Sequence, residues 1–148
     1  MSEIAIFYAD DDEDDLMFFN DAVAKITSAQ QESISLHMHR NGESLLENIK
    51  KTKIERGVVF LDINMPRKSG FQLLEEIRNH SEISDVPVII YSTSYDESSI
   101  QMSHNLGANF YVVKPYNFND LIEMINNVIK INWEKKKADF ENFIYLKR

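Results

Sequence analysis

The chain has 148 residues, of which 43% are hydrophobic and 27% charged, so it is long and apolar enough for one folded domain. It contains no cysteine, which excludes disulfides, thiolate metal sites and cysteine nucleophiles. A net charge of −8 argues against general binding to nucleic acids, and no signal-peptide or membrane-spanning pattern is present. We therefore expect a cytoplasmic protein that binds neither nucleic acid nor membrane.

Five short apolar segments predict the strands of a parallel sheet. Two of them, Ile4–Ala9 and 57–63, are almost continuously apolar, as central strands covered on both faces are. Residues 34–39 alternate between apolar and polar side chains, which indicates an edge strand. The others are 86–92 and 109–114. Helical patterns separate all five, so the order of elements predicts an α/β fold with helices on both faces of the sheet.

An uninterrupted run of six acidic residues, 10–15, follows the first predicted strand. One or two acids would cap a helix and complement its dipole, but six exceed that need. We assign the last four to the first turn of a helix, facing solvent, with a position of Asp12 near a metal as the alternative. Asp10 and Asp11 require another explanation.

Polar residues lie near the carboxyl ends of four predicted strands, which is where parallel sheets bind ligands. They are Asp10, Asp11, Asp62, Ser92 and Lys114. Three carboxylates gathered at one edge would repel one another unless a cation is present. Oxygen ligands favour a hard ion, so the sequence predicts a Mg²⁺ (or Mn²⁺) site there.

Four motifs in order, YADDD, VVFLDINMPRKSG, VIIYSTS and GANFYVVKPY, resemble the receiver domain of two-component response regulators, the CheY-like family. The resemblance covers residues 3–130, leaves 131–148 as a C-terminal extension, and is closest to the stand-alone, single-domain type. It implies a flavodoxin-like, doubly wound sheet of five parallel strands in the order 2-1-3-4-5.

The resemblance also implies a phosphorylation site. Asp62 would accept a phosphoryl group from a phosphohistidine of a sensor histidine kinase or a phosphotransfer protein. Asp11 would bind the metal directly, Asp10 would help to hold it through water, and Asn64 would contribute its backbone carbonyl. Such a domain is a signalling module, which at most catalyses its own phosphorylation and dephosphorylation.

Three further residues receive roles from the same resemblance. Lys114 would supply a second positive charge, and Ser92 would donate its hydroxyl to a phosphoryl oxygen. A shift of Ser92 toward the phosphate would open room into which the ring of Tyr111 turns, although Thr93 and Ser94 compete with Ser92 for this switch role.

Three positions are assigned to backbone geometry. Gly70 should permit the tight entry into the following helix, and Gly107 reads as a helix C-cap. The resemblance further implies a cis peptide bond before Pro115.

Two other functions stay open. A haloacid-dehalogenase-like phosphatase also uses a strand-end aspartate with Mg²⁺, but its motif has a second aspartate two positions on, where Asn64 stands here. A receiver-like scaffold that is never phosphorylated is harder to exclude.

The C-terminal extension carries apolar residues near one helical stripe, which predicts that the last receiver helix continues and that the extension is helical in part. They are Ile129, Trp133, Phe140, Phe143 and Ile144. Fold-back onto the domain and a frayed tail are alternatives. Because receivers often dimerise through their last strand and last two helices, we favour a homodimer.

Overall fold

A computed structural model describes residues 3–30, 33–53, 55–133 and 143–145. Strands and helices alternate along these residues, as the sequence predicts. The elements are β1 (Ile4–Ala9), α1 (Glu13–Gln30), β2 (Ile34–His39), α2 (Gly42–Lys51), β3 (Gly57–Leu61), α3 (Gly70–Asn79), β4 (Val88–Ser92), α4 (Glu97–Asn105), β5 (Phe110–Val113), α5 (Phe118–Ile129) and β6 (Ile144–Tyr145).

All strand pairs are parallel, and the sheet order is β2-β1-β3-β4-β5-β6. The predicted order of the first five strands and the edge position of β2 are confirmed. The prediction of five strands is one strand short, because β6 pairs with the outer edge of β5. There the Tyr111 N–H donates to the Phe143 carbonyl at 2.9 Å. The added strand satisfies backbone groups that an open edge would leave unpaired.

The sheet separates two apolar cores. In β1, Ile6 and Tyr8 face the core beneath α1 and α5, while Phe7 and Ala9 face the core beneath α2, α3 and α4. Successive strand residues point to opposite faces, so a strand buried on both sides is apolar throughout. Each fully buried large apolar side chain stabilises the fold by about 1.5–3 kcal/mol. This double burial fixes β1 and β3 at the centre of the sheet.

Two glycines serve the geometry that the sequence predicts. Gly107 has a φ of 95° just beyond α4, and the next N–H, that of Ala108, donates to the Ser103 carbonyl at 3.0 Å. This is a Schellman-type C-cap, which favours glycine. At Gly70 the reason is close approach, because a Cβ there would overlap the carbonyl oxygen of Asp62.

The described part of the C-terminal extension contradicts the prediction of a continued helix. Helix α5 ends at Ile129, with Lys130 as its C-cap. Trp133 packs against the α1 and α5 core, with its ring 5.6 Å from that of Phe110, and Phe143 is 2% exposed. These residues fold back onto the domain, where their apolar surface is buried rather than exposed on a projecting helix.

The rest of the extension, 134–142 and 146–148, lies outside the described residues. The prediction that Phe140 continues the helical stripe therefore remains a prediction, as does the receiver boundary at residue 130.

The predicted cis bond before Pro115 is wrong for this structure, since no peptide bond among residues 3–30, 33–53, 55–133 and 143–145 is cis. The trans form of such a bond is favoured by about 0.5–1 kcal/mol. Lys114 reaches its ionic partners from the trans geometry, so the site does not require the less stable isomer. Within the same residues, none of the helices has the length and apolar character needed to span a membrane.

Candidate functional site

Three aspartates meet where the central strands end. Asp10 and Asp11 directly follow β1, and Asp62 directly follows β3. One carboxylate oxygen from each lies within 4.8 Å of the others. The Asp62 N–H donates to the Ala9 carbonyl at 3.0 Å, and the Asp10 N–H donates to the His39 carbonyl at 3.0 Å. These backbone bonds extend the ladders past the strand ends and bring together the acids that the sequence assigned to one site.

Asp10 is fully buried, and its carboxylate has a hydrogen-bond donor on each oxygen. Oδ2 accepts from the Tyr8 hydroxyl at 2.5 Å and from Lys114 Nζ at 2.8 Å, while Oδ1 accepts from the Asp12 N–H at 3.0 Å. A buried carboxylate requires such partners, since desolvation without them is costly. Burial, with the Asp10 charge as a second cause, raises the pKa of the Tyr8 hydroxyl far above its ordinary value. Tyr8 therefore acts as a neutral donor.

Asp62 is 7% exposed, and burial raises the pKa of its carboxyl to about 6. The Lys114 ammonium opposes this rise, and the neighbouring Asp10 charge adds to it. An unscreened Asp62 carboxylate is therefore costly, and a nearby cation would favour the ionised form.

Lys114 follows β5 and contacts three carboxylates. Its Nζ lies 2.8 Å from Asp10 Oδ2, 2.7 Å from Asp15 Oδ2 and 3.5 Å from Asp62 Oδ1. Burial disfavours the charged ammonium, but the hydrogen bonds to Asp10 and Asp15 outweigh burial and raise the pKa of Lys114 above its ordinary value. The side chain is a permanent cation in the middle of the acidic group.

Asp15 is the site residue that the sequence analysis missed, because we assigned it to the solvated first turn of α1. Its carboxylate is only 34% exposed, against 67% for Glu13 in the same turn. No local signal in the sequence pointed to this residue, because its partner Lys114 lies 99 residues further along the chain.

The predicted switch residues lie one strand apart. Ser92 ends β4, is 1% exposed, and accepts the Ser94 N–H on its Oγ at 3.1 Å. Tyr111 on β5 is fully buried, and its hydroxyl donates to the Ser94 carbonyl at 2.9 Å. The Tyr111 ring is thus already turned inward in this structure, and the proposed coupling of its rotation to Ser92 stays a prediction.

The loop after Asp62 leads into α3. The side chain of Asn64 is exposed. The role predicted for this residue concerns only its backbone carbonyl. The Gly70 N–H donates to the Ile63 carbonyl at 2.9 Å and fixes the loop against the start of α3. The metal role of the Asn64 carbonyl stays a prediction.

The donor set fits a hard divalent cation. Asp10, Asp11 and Asp62 offer carboxylate oxygens and no sulfur or imidazole nitrogen, which is the ligand type that Mg²⁺ and Mn²⁺ take in proteins. Lys114 alone does not balance the negative charge of these three groups and Asp15.

A doubly wound parallel sheet with acids after β1 and β3 and a buried lysine after β5 defines a flavodoxin-like α/β domain with an acidic pocket at its carboxyl edge. The family model of the response regulator receiver domain matches residues 6–126, and the chain belongs to this family of two-component signalling proteins.

Individual relatives agree with the family match. Response regulator RR06 of Streptococcus pneumoniae serotype 2 is 31% identical over 125 residues, which cover 84% of this chain and 52% of RR06. The Mn²⁺-bound form of response regulator Rcp1 has a TM-score of 0.70 at 22% identity, covering 91% of this chain and 98% of that one. The phosphorylated cyanobacterial phytochrome response regulator RcpA has a TM-score of 0.74 at 23% identity, covering 90% and 96%. The chain spans about half the length of the first two curated relatives that it matches.

Proposed function

We propose that this receiver domain accepts a phosphoryl group on Asp62 from a phosphohistidine of a sensor histidine kinase or a phosphotransfer protein. A carboxylate oxygen of Asp62 attacks phosphorus, the P–O bond forms, and the P–N bond to the histidine breaks. The observation that supports this best is the place of Asp62, at the end of a central strand, within reach of two further acids and 3.5 Å from a buried ammonium.

Asp10, Asp11, Asp62 and the Asn64 carbonyl would hold Mg²⁺ or Mn²⁺. The bound cation supplies positive charge that screens the meeting of an anionic nucleophile with an anionic phosphoryl group. Lys114, whose Nζ is 3.5 Å from Asp62 Oδ1, would bind one phosphoryl oxygen. Ser92, which ends the strand beside β3, would donate its hydroxyl to another.

Output would follow from changed protein contacts or from onward phosphotransfer. The hydrogen bond from the Tyr111 hydroxyl to the Ser94 carbonyl joins β5 to the loop after β4. A movement of that loop would therefore shift the side chain of Tyr111. A homodimer through α4, β5 and α5 would bury β6 in its interface, because β6 covers the β5 edge. A cytoplasmic location and the homodimer both stay predictions.

The test is incubation of the full chain with Mg²⁺ and acetyl phosphate, followed by intact-mass measurement. We expect one added phosphoryl group in the wild type and none in Asp62→Asn. Asp14→Asn is the control, since it removes a carboxylate from an exposed position in the same acidic edge. Unchanged labelling of Asp62→Asn would contradict the assignment of the nucleophile, and no labelling of any protein would favour the unphosphorylated scaffold.

A further inference from the structure

The ammonium of Lys114 has one N–H to spare. A protonated lysine carries three N–H donors, and two of them are used at 2.8 Å on Asp10 and 2.7 Å on Asp15. The nearest Asp62 oxygen is 3.5 Å away, beyond a good hydrogen bond. The third donor therefore remains for a group that arrives beside Asp62.

Asp15 is held in place by a closed chain of hydrogen bonds. Its N–H donates to Asp12 Oδ1 at 3.1 Å, and the Asp12 N–H donates to Asp10 Oδ1 at 3.0 Å. Asp10 in turn accepts from Lys114, whose side chain is only 9% exposed. The position of the ammonium is thus set from two sides, by Asp10 beneath it and by Asp15 on α1.

We propose that Asp15 is a positioning residue for phosphoryl transfer, acting through Lys114. The inference rests on the function proposed above for Asp62. Asp15 keeps the ammonium from moving onto Asp62, where a direct hydrogen bond would occupy the attacking oxygen and lower its nucleophilicity. It also keeps the free N–H directed to the place where a phosphoryl oxygen on Asp62 would lie.

The neighbouring acids do not share this role. Glu13 pairs with Arg40 on the protein surface, and Asp14 is exposed. Asp14→Asn is therefore a matched control for Asp15→Asn, because both remove the same charge from the first turn of α1 and only one removes it from Lys114.

The experiment compares phosphorylation rates of the full chain with acetyl phosphate at saturating Mg²⁺. We expect Asp15→Asn and Asp15→Ala to lower the rate constant about three- to tenfold, the size of one lost charge-assisted contact that is partly open to solvent. Asp14→Asn should stay near the wild type. Mg²⁺ affinity, measured by calorimetry, should change no more in Asp15→Asn than in Asp14→Asn, because Asp15 is outside the metal-binding group.

A second measurement follows the ammonium itself, without any phosphodonor. The Nζ protons of Lys114 should be visible by NMR in the wild type and in Asp14→Asn, since the group is buried and hydrogen-bonded. In Asp15→Asn they should exchange faster with water. A purely structural role of Asp15 in α1 would leave this signal unchanged.

The outcomes separate the two proposals. If the wild type takes up no phosphoryl group, the proposed function fails. If the wild type is labelled but Asp15→Asn reacts as fast as Asp14→Asn, or faster, the role of Asp15 is overturned and that of Asp62 stands. An unchanged Lys114 signal in Asp15→Asn would overturn it as well.

Discussion

Strand β5 borders two regions that have opposite effects on the stability of the fold. Beyond its carboxyl end, Lys114 lies among carboxylates whose mutual repulsion a single ammonium does not balance. Along its outer edge, β6 adds backbone hydrogen bonds, and Phe143, the residue before β6, adds a buried ring. The first region gathers like charges at a cost in stability, while the second buries apolar surface. Substitutions at the acidic end should therefore impair the proposed function, and substitutions at the β6 edge should lower the stability of the fold.

The largest effect is expected at the acidic end. Asp11→Ala removes an exposed carboxylate from the proposed metal ligands and should weaken Mg²⁺ binding by at least about a hundredfold. Labelling by acetyl phosphate should be lost at Mg²⁺ concentrations that saturate the wild type. The free energy of unfolding without metal should not fall, because one of several repelling charges is gone. A clear fall in stability would contradict the comparison.

At the outer edge of β5, a substitution should lower stability and leave Mg²⁺ affinity unchanged. Phe143→Ala should lower the free energy of unfolding by about 3 kcal/mol, measured in urea, since the ring is 2% exposed and packs within the core beneath α4. Mg²⁺ affinity should stay near that of the wild type. Met102→Ala, on an exposed face of α4, is the control and should change stability by less than about 0.5 kcal/mol. Equal effects of the two substitutions would mean that β6 contributes little to the fold.

A smaller effect should depend on pH. Burial raises the pKa of Asp62 to about 6 in the fold, against 3.8 for the unperturbed group. The folded protein therefore keeps this proton at pH values where the unfolded chain has released it. The resulting stabilisation is complete below pH 3.8 and is lost as the pH rises through about 6.

The Asp62→Asn side chain does not ionise and so does not lose this stabilisation. Without metal, Asp62→Asn should therefore be more stable than the wild type by about 3 kcal/mol at neutral pH and by much less near pH 4. Urea unfolding in the presence of a chelator at both pH values measures the difference. A difference that is the same at both pH values would show that the titration of Asp62 is not its cause.

The same two regions show what the sequence can and cannot predict. Apolar β1 and β3 predict buried central strands, and a parallel sheet then brings Asp10 and Asp62 to one edge whatever the details of packing. The partnership of Asp15 with Lys114 depends on how far one flexible side chain reaches across 99 residues of sequence, which no local pattern encodes.

The predicted continuation of the last receiver helix failed for a different reason. Trp133 and Phe143 fit a helical stripe, but they fit equally well a segment that folds back onto the sheet, and periodicity cannot separate the two in a short segment. The unpaired edge of β5 decides between them, and it exists only once the sheet has formed. The prediction of a cis bond before Pro115 also failed, because a dipeptide motif does not determine whether the bond is cis or trans.

The close approach of Gly70 to the backbone of Asp62 limits which mutations position 70 tolerates. Every single-nucleotide change in a glycine codon that replaces the residue adds a Cβ, and a Cβ at this position overlaps the carbonyl oxygen of Asp62. Position 70 is therefore closed to one-step mutation, although its side chain has no atom that could take part in signalling. A random mutant library screened for loss of signal should therefore mark Gly70 as well as Asp62, although Gly70 only supports the backbone of the proposed nucleophile.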